Sequence, residues 1–241
     1  MPNYVIGLDL GKQRDYSAAV VTERVQVIVS PQAVPDAAYE VDERLVVDTY
    51  HVRHIQRWPL GTPYGAVVDD VADLMRTPEF RRRAVLLFDA TGVGGAVGDM
   101  FSKAHRADRM GDYRPRSVTL TGGFSRDLPA DDRSERGTAV HKGDLVSRLV
   151  ALFESERIKL PLGLPLADAL EKELRAFTLK QTKAGALTFE AKRESDHDDL
   201  VIALALSVWY RHRHDEPRYL SPNDELLEKP WAVATNWSPH G

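Results

Sequence analysis

The stretch IGLDLGKQRDYSAAVV, residues 6–21, decides the architecture. A short apolar run ends at Asp9 and Gly11, a polar turn covers Lys12 to Asp15, and the β pattern resumes in YSAAVVTE and VQVIVS. β-Branched residues on both sides and glycine at the turn make strand, turn, strand the economical assignment. RLVVDTYHVRHI at 44–55 adds a further strand, so three antiparallel strands are expected in succession. The intervening SPQAVPDAAYEVDE has two prolines and no steady period, which predicts a loop.

Beyond Pro63 the period changes, with Val67, Val68, Val71, Ala72, Leu74 and Met75 recurring at helical spacing. AVLLFDATG at 84–92 is apolar up to its acid and glycine, as a buried parallel strand flanked by helices is expected to be. VGGAVGDMFSKAH predicts a helix, RSVTLTGG a strand, and the polar segment from Gly123 to Arg136 a mobile loop. HKGDLVSRLVALFESERIKL and PLADALEKELRAFTL predict two amphipathic helices, and LKQTKAGALTFEAKR a hairpin around Lys-Ala-Gly. DLVIALALSVWY predicts a last, buried helix. The expected fold is therefore α/β: a mixed sheet, antiparallel over strands 1–3 and parallel afterwards, with helices on both faces. Residues 1–214 are expected to form that domain, and 215–241 a poorly structured or partner-binding tail.

At 241 residues and 43% hydrophobic content the chain can bury a sizeable core. It has no cysteine, which excludes disulfides, thiolate metal sites and a cysteine nucleophile. Any metal must then be held by carboxylates, histidine, carbonyls or water. The start MPNYVIGLDLG lacks a basic segment followed by a long apolar run, and no transmembrane-length apolar run occurs, so a soluble protein with no membrane partner is expected. With a net charge of −4, nucleic-acid contacts must come from local basic clusters.

Four acids stand at ends of elements: Asp9 after the first strand, Asp89 after the apolar strand, and Asp198 and Asp199 before the last helix. If these ends meet, the carboxylates repel one another unless they bind hard cations or keep protons. Two Mg²⁺ or Mn²⁺ ions would neutralise such a cluster and suit phosphodiester hydrolysis. Each acid taken alone is also an ordinary turn or cap residue. Capping, however, does not require Asp196, His197, Asp198 and Asp199 together. Asp15 either joins the metal site or fixes its turn, and His197 is a ligand, a proton shuttle or a surface residue. Lys180, Lys183, Lys192 and Arg193 flank the hairpin, and Arg133, Arg136, His141 and Lys142 border the loop. Either group grips phosphates or is simply solvated.

IGLDLGKQRDYSAAVV, LLFDATGVGGAVGDMF, HKGDLVSRLVALFESERIKLP and SDHDDLVIALALSVW, in that order, resemble the nuclease domain of the large terminase subunit of tailed bacteriophages. That domain belongs to the RNase H-like superfamily, beside the RuvC-type resolvases. The resemblance covers roughly Tyr4 to Arg211. It implies a metal-dependent endonuclease, working with Mg²⁺ or Mn²⁺, that cuts concatemeric double-stranded viral DNA during packaging in the host cytoplasm. Its acids fall on Asp9, Asp89 and either Asp198 or Asp199, with an accessory acid on Asp15. Lys142 and the hairpin bases Lys180, Lys183, Lys192 and Arg193 are the expected DNA contacts. Partners implied are a terminase ATPase domain or subunit, the small terminase subunit and the portal. Two departures stand out. Ile202 occupies a position where many relatives have a further acid, and the chain starts directly at the nuclease, so an ATPase is expected on a separate chain or on another part of a longer one.

IGLDLG and DATGVGG are also similar to the phosphate motifs of the actin, Hsp70 and sugar kinase superfamily. Those ATPases need two such subdomains, and they leave the His-Asp-Asp helix unexplained. A Holliday-junction resolvase, or a non-catalytic DNA-binding or assembly module, would retain the same core fold.

Overall fold

The computed structural model describes residues 3–11, 15–28, 46–92, 94–122, 138–181, 187–191, 197–210 and 219–220. The strands are β1 (Tyr4–Asp9), β2 (Ala18–Ile28), β3 (Val46–Arg57), β4 (Ala84–Asp89), β5 (Arg116–Thr121), β6 (Thr138–His141), β7 (Ile158–Lys159), β8 (Phe177–Gln181), β9 (Leu187–Ala191) and β10 (Tyr219–Leu220). The helices are α1 (Tyr64–Arg76), α2 (Gly94–Arg106), α3 (Lys142–Glu154), α4 (Ala167–Ala176) and α5 (Asp199–Trp209).

The main sheet runs β6-β5-β4-β1-β2-β3-β7, and β10 also pairs with β2. β1–β2 and β2–β3 are antiparallel, whereas β1–β4, β4–β5 and β5–β6 are parallel. The mixed sheet with antiparallel strands first is thus observed. β8 and β9 form the expected hairpin, paired antiparallel from Phe177↔Ala191 to Gln181↔Leu187.

Strand alternation divides the core in two, because successive side chains point to opposite faces. Tyr4, Ile6, Leu8, Ala84, Leu86 and Phe88 pack with Val67, Val71 and Met75 of α1 and Val97 and Phe101 of α2. Val5, Val85, Leu87 and Val118 pack instead with Leu145 and Leu149 of α3, Leu170 of α4 and almost the whole of α5. Helix α5 is buried from Asp199 to Val208, being sandwiched between the sheet and the outer helices. Each fully buried Leu, Ile or Val there contributes roughly 1.5–3 kcal/mol. Gly7 lets α5 approach β1 this closely, since a Cβ at that position would lie 2.0 Å from the Ala203 carbonyl oxygen.

Three element boundaries differ from expectation. The helix expected through IKL stops at Glu154, because Glu156 adopts a left-handed φ of 55° and the Arg157 N–H turns back to the Leu152 carbonyl. Ile158 and Lys159 are thereby released to pair with Tyr50 and His51. Phe177 to Leu179 leave the expected helix to become the first half of the hairpin, and Thr138 to His141 form β6. The loop at 123–136 and the segment SPQAVPDAAYEVDE lie outside the described residues. In the tail, Tyr219–Leu220 lies parallel to Gln26 and Val27.

Candidate active site

Asp9 and Asp89 are the last residues of two neighbouring parallel strands, β1 and β4. Each stands two residues beyond a position facing α5, namely Gly7 and Leu87, so both point to the α5 face. The N-terminus of α5 begins there, bringing Asp198 and Asp199 beside them. The cost of this convergence shows on Asp9, whose carboxyl is pushed well above the usual carboxylate range by burial and then by Asp89, Asp198 and Asp199, with Lys142 opposing. Burial also raises Asp199, against the pull of Arg57.

The surrounding residues hold the acids in distinct ways. Asp89 Oδ1 accepts the Thr91 N–H at 2.7 Å, forming a tight turn at the strand end. Thr91 Oγ1 in turn accepts the Leu120 N–H at 2.7 Å, tying that turn to β5. Thr91→Val, of similar shape, is expected to cost about 1 kcal/mol in urea unfolding, since it leaves the Leu120 amide without this acceptor. Lys142, the first residue of α3, donates from Nζ to Asp198 Oδ2 at 2.9 Å. Arg57 donates from Nε to Asp199 Oδ2 at 2.8 Å and also holds Glu173. Glu173 Oε2 accepts the Leu200 N–H at 3.0 Å, so the first turn of α5 is capped from α4. Asp198 occupies the N-cap position without a side-chain capping bond. Simple capping therefore does not explain the acidic run.

Five carboxylates, Asp9, Asp89, Glu173, Asp198 and Asp199, share this end of the sheet with the cations Arg57 and Lys142. The surplus of negative charge and the all-oxygen donor set fit a hard divalent cation. Among the described residues no three His, Asp or Glu side chains already surround one point at metal-ligating distance. Asp89, Asp198 and Asp199 are each engaged by a protein donor.

The other expected site residues divide. His197 packs its ring edge-to-face on Tyr16, with centroids 4.7 Å apart, and Asp15 is exposed at the turn before it. His141 Nδ1 donates to the Gly122 carbonyl at 2.9 Å. Lys180 lies in β8, while Lys183, Lys192, Arg193, Arg133, Arg136 and Asp196 fall outside the described residues. Arg57, Glu173, Thr91 and Tyr16 are not singled out by the sequence patterns. Glu173 alone left a signal, an acid three residues beyond Leu170 in the apolar stripe of α4.

No family model matches the sequence, and no curated protein does. Solved structures do match. The large terminase nuclease from thermophilic phage G20c superposes with a TM-score of 0.53 at 22% identity, covering 86% of this chain and 82% of that one. The same nuclease with bound magnesium gives 0.51 at 21% identity, covering 85% of this chain and 79% of that one. With bound cobalt it gives 0.51 at 23% identity, again covering 85% and 79%. At these identities the likeness is one of architecture: this chain has the RNase H-like fold of the phage large terminase nuclease.

Proposed function

We propose that the protein is a metal-dependent endonuclease of the terminase large-subunit type, cutting concatemeric viral DNA during genome packaging in the host cytoplasm. The observation that carries this is the meeting of Asp9, Asp89 and the Asp198–Asp199 pair on one face of one sheet end, where burial and then the three neighbouring acids drive up the Asp9 carboxyl. Solved structures of the similar phage nuclease with magnesium and cobalt support the choice of a divalent cation. Asp9 is central, with Asp89 on one side and one of the adjacent pair on the other. Two Mg²⁺ or Mn²⁺ ions held there would supply Lewis acidity to the phosphodiester and an activated water, leaving a 3′ hydroxyl and a 5′ phosphate.

The protein's own groups have separate tasks. The Thr91 amide and hydroxyl hold the Asp89 turn against β5. Lys142, paired with Asp198 at the rim of the cluster, would offer its ammonium to a backbone phosphate if Asp198 held a cation. Lys180, Lys183, Lys192 and Arg193, around the hairpin, are the further phosphate contacts of this proposal. His197 and Asp15 belong to it as flanking groups rather than as central ligands. DNA is the substrate, and a terminase ATPase, the small subunit and the portal are the proposed partners. Among the described residues no helix is long and apolar enough to cross a membrane.

The test is nicking of supercoiled plasmid. Cleavage is expected with Mg²⁺ or Mn²⁺ and none with EDTA, while Ca²⁺, with its looser geometry, supports DNA binding in a gel shift without cleavage. Absence of any cleavage with Mg²⁺ or Mn²⁺ across a wide range of protein concentrations would overturn the proposal.

A further inference from the structure

The adjacent acids Asp198 and Asp199 are not equivalent. The Asp199 side chain is 5% exposed and its carboxylate is closed in by Arg57, whereas the Asp198 side chain keeps 32% exposure and is paired with the Lys142 ammonium. Arg57 is itself fixed from several sides. It grips Asp199 and Glu173 together, and its guanidinium lies 5.1 Å from the centroid of the Tyr16 ring, which also packs against His197.

Arg57 reaches this place through an irregularity in the sheet. The β2–β3 register runs Val21↔His54 and then Thr22↔Val52, so Arg53 is an extra residue in β3. Tyr50 and Val52 face α5 before the bulge, and Ile55 faces it after. A regular strand would have turned residue 57 to the opposite face; the bulge returns it to the face of α5. Arg57 then pairs with Ala18, which pairs with Asp9, so the guanidinium stands in register two strands from the central acid.

We propose that Arg57 is a positioning residue: clamped between Glu173 and Asp199, it withholds Asp199 from the cation and sets the start of α5 so that Asp198 completes a metal shell with Asp9 and Asp89. This rests on the metal-dependent nuclease proposed above and assigns the ligand within its acidic pair. Glu173 completes the clamp, since one of its oxygens takes the Leu200 amide and the other the guanidinium.

Mn²⁺ binding to the purified chain, followed by the EPR signal of the free ion, and plasmid nicking together test it. Asp198→Asn is expected to weaken Mn²⁺ binding by about tenfold or more, whereas Asp199→Asn keeps the affinity within about threefold while nicking falls. Arg57→Met frees a carboxylate to enter the cluster, so Mn²⁺ binds a few-fold tighter while nicking falls by about tenfold. Arg57→Lys retains the charge in case the methionine variant does not fold; a single ammonium cannot hold both carboxylates, and the same opposed changes are expected at smaller size. A purely structural role would move affinity and nicking together. The inference is overturned if Asp199→Asn weakens Mn²⁺ as much as Asp198→Asn, or if Arg57→Lys lowers affinity and nicking in proportion. Those outcomes leave the nuclease intact. A wild-type chain that neither binds Mn²⁺ nor nicks overturns both.

Discussion

Asp89→Ala is expected to lower Mg²⁺-supported nicking by about a thousandfold, equivalent to ~4 kcal/mol of transition-state stabilisation. The side chain ends β4 beside Asp9, and no other described carboxylate reaches that flank from the same strand. Asp9→Asn is expected to match it in activity and to differ from it in stability. Burial and three carboxylates raise the Asp9 carboxyl well above its ordinary value, so the folded chain binds that proton more tightly than the unfolded chain. The stability linked to this proton is fully present below the unfolded value, about pH 4, and is lost as pH rises through the folded value. Without divalent metal, the Asp9 contribution should therefore fall from acid toward neutral pH, against the opposite contribution of His51 and His54, which burial holds below the ordinary histidine value. Asp9→Asn should remove the falling part, so that its stability climbs more steeply with pH than that of wild type. Added Mg²⁺ should restore wild type at neutral pH and leave the variant unmoved. Thermal unfolding between pH 4 and 8, with EDTA and with Mg²⁺, checks each of these. A variant with the wild-type slope would remove Asp9 from the centre of the cluster.

Gly7→Ala should cost about 3 kcal/mol or more in stability, and with it most of the nicking activity. The added methyl would lie 2.0 Å from the Ala203 carbonyl oxygen and 2.6 Å from the Ser207 amide nitrogen. Both are backbone atoms of α5, so no side chain can swing aside and the helix itself must move. Its other end is anchored, since Thr22 Oγ1 donates to the Ser207 carbonyl at 3.1 Å. Displacement is thus passed to the N-terminus, where Asp198 and Asp199 sit. Gly95→Ala in α2 is the control: a Cβ there meets nothing within 4 Å, and helix propensity favours it by about 0.5–1 kcal/mol. Urea unfolding of both variants measures the contrast. A Gly7→Ala protein as stable as wild type would show that α5 does not rest directly on β1.

Much of the fold was legible because each stretch carried its own period. Tyr4 to Asp9 and Ala84 to Asp89 read as strands, and α1, α2 and α5 as helices, since burial on one face or on all sides leaves a local pattern. The misplaced boundaries were those set by distant partners. Ile158 and Lys159 are a strand only because β3 offers an edge, and Phe177 to Leu179 only because Phe189 to Ala191 lie opposite. Propensity over a few residues cannot encode a partner a hundred positions away.

The candidate site divides along the same line. By itself the sequence determined which acids stand at element ends, Asp9, Asp89, Asp198 and Asp199, because an acid closing an apolar run is a local feature. Only the tertiary structure decided what balances them. Arg57 arrives through a bulge in β3 and Glu173 from α4, while Lys142 comes from the start of α3. The two acids adjacent in sequence are thereby given different surroundings, Asp199 closed in by a guanidinium and Asp198 left open at the rim. Charge acts through space rather than along the chain, so the fate of a carboxylate depends on which elements the packed core brings to it.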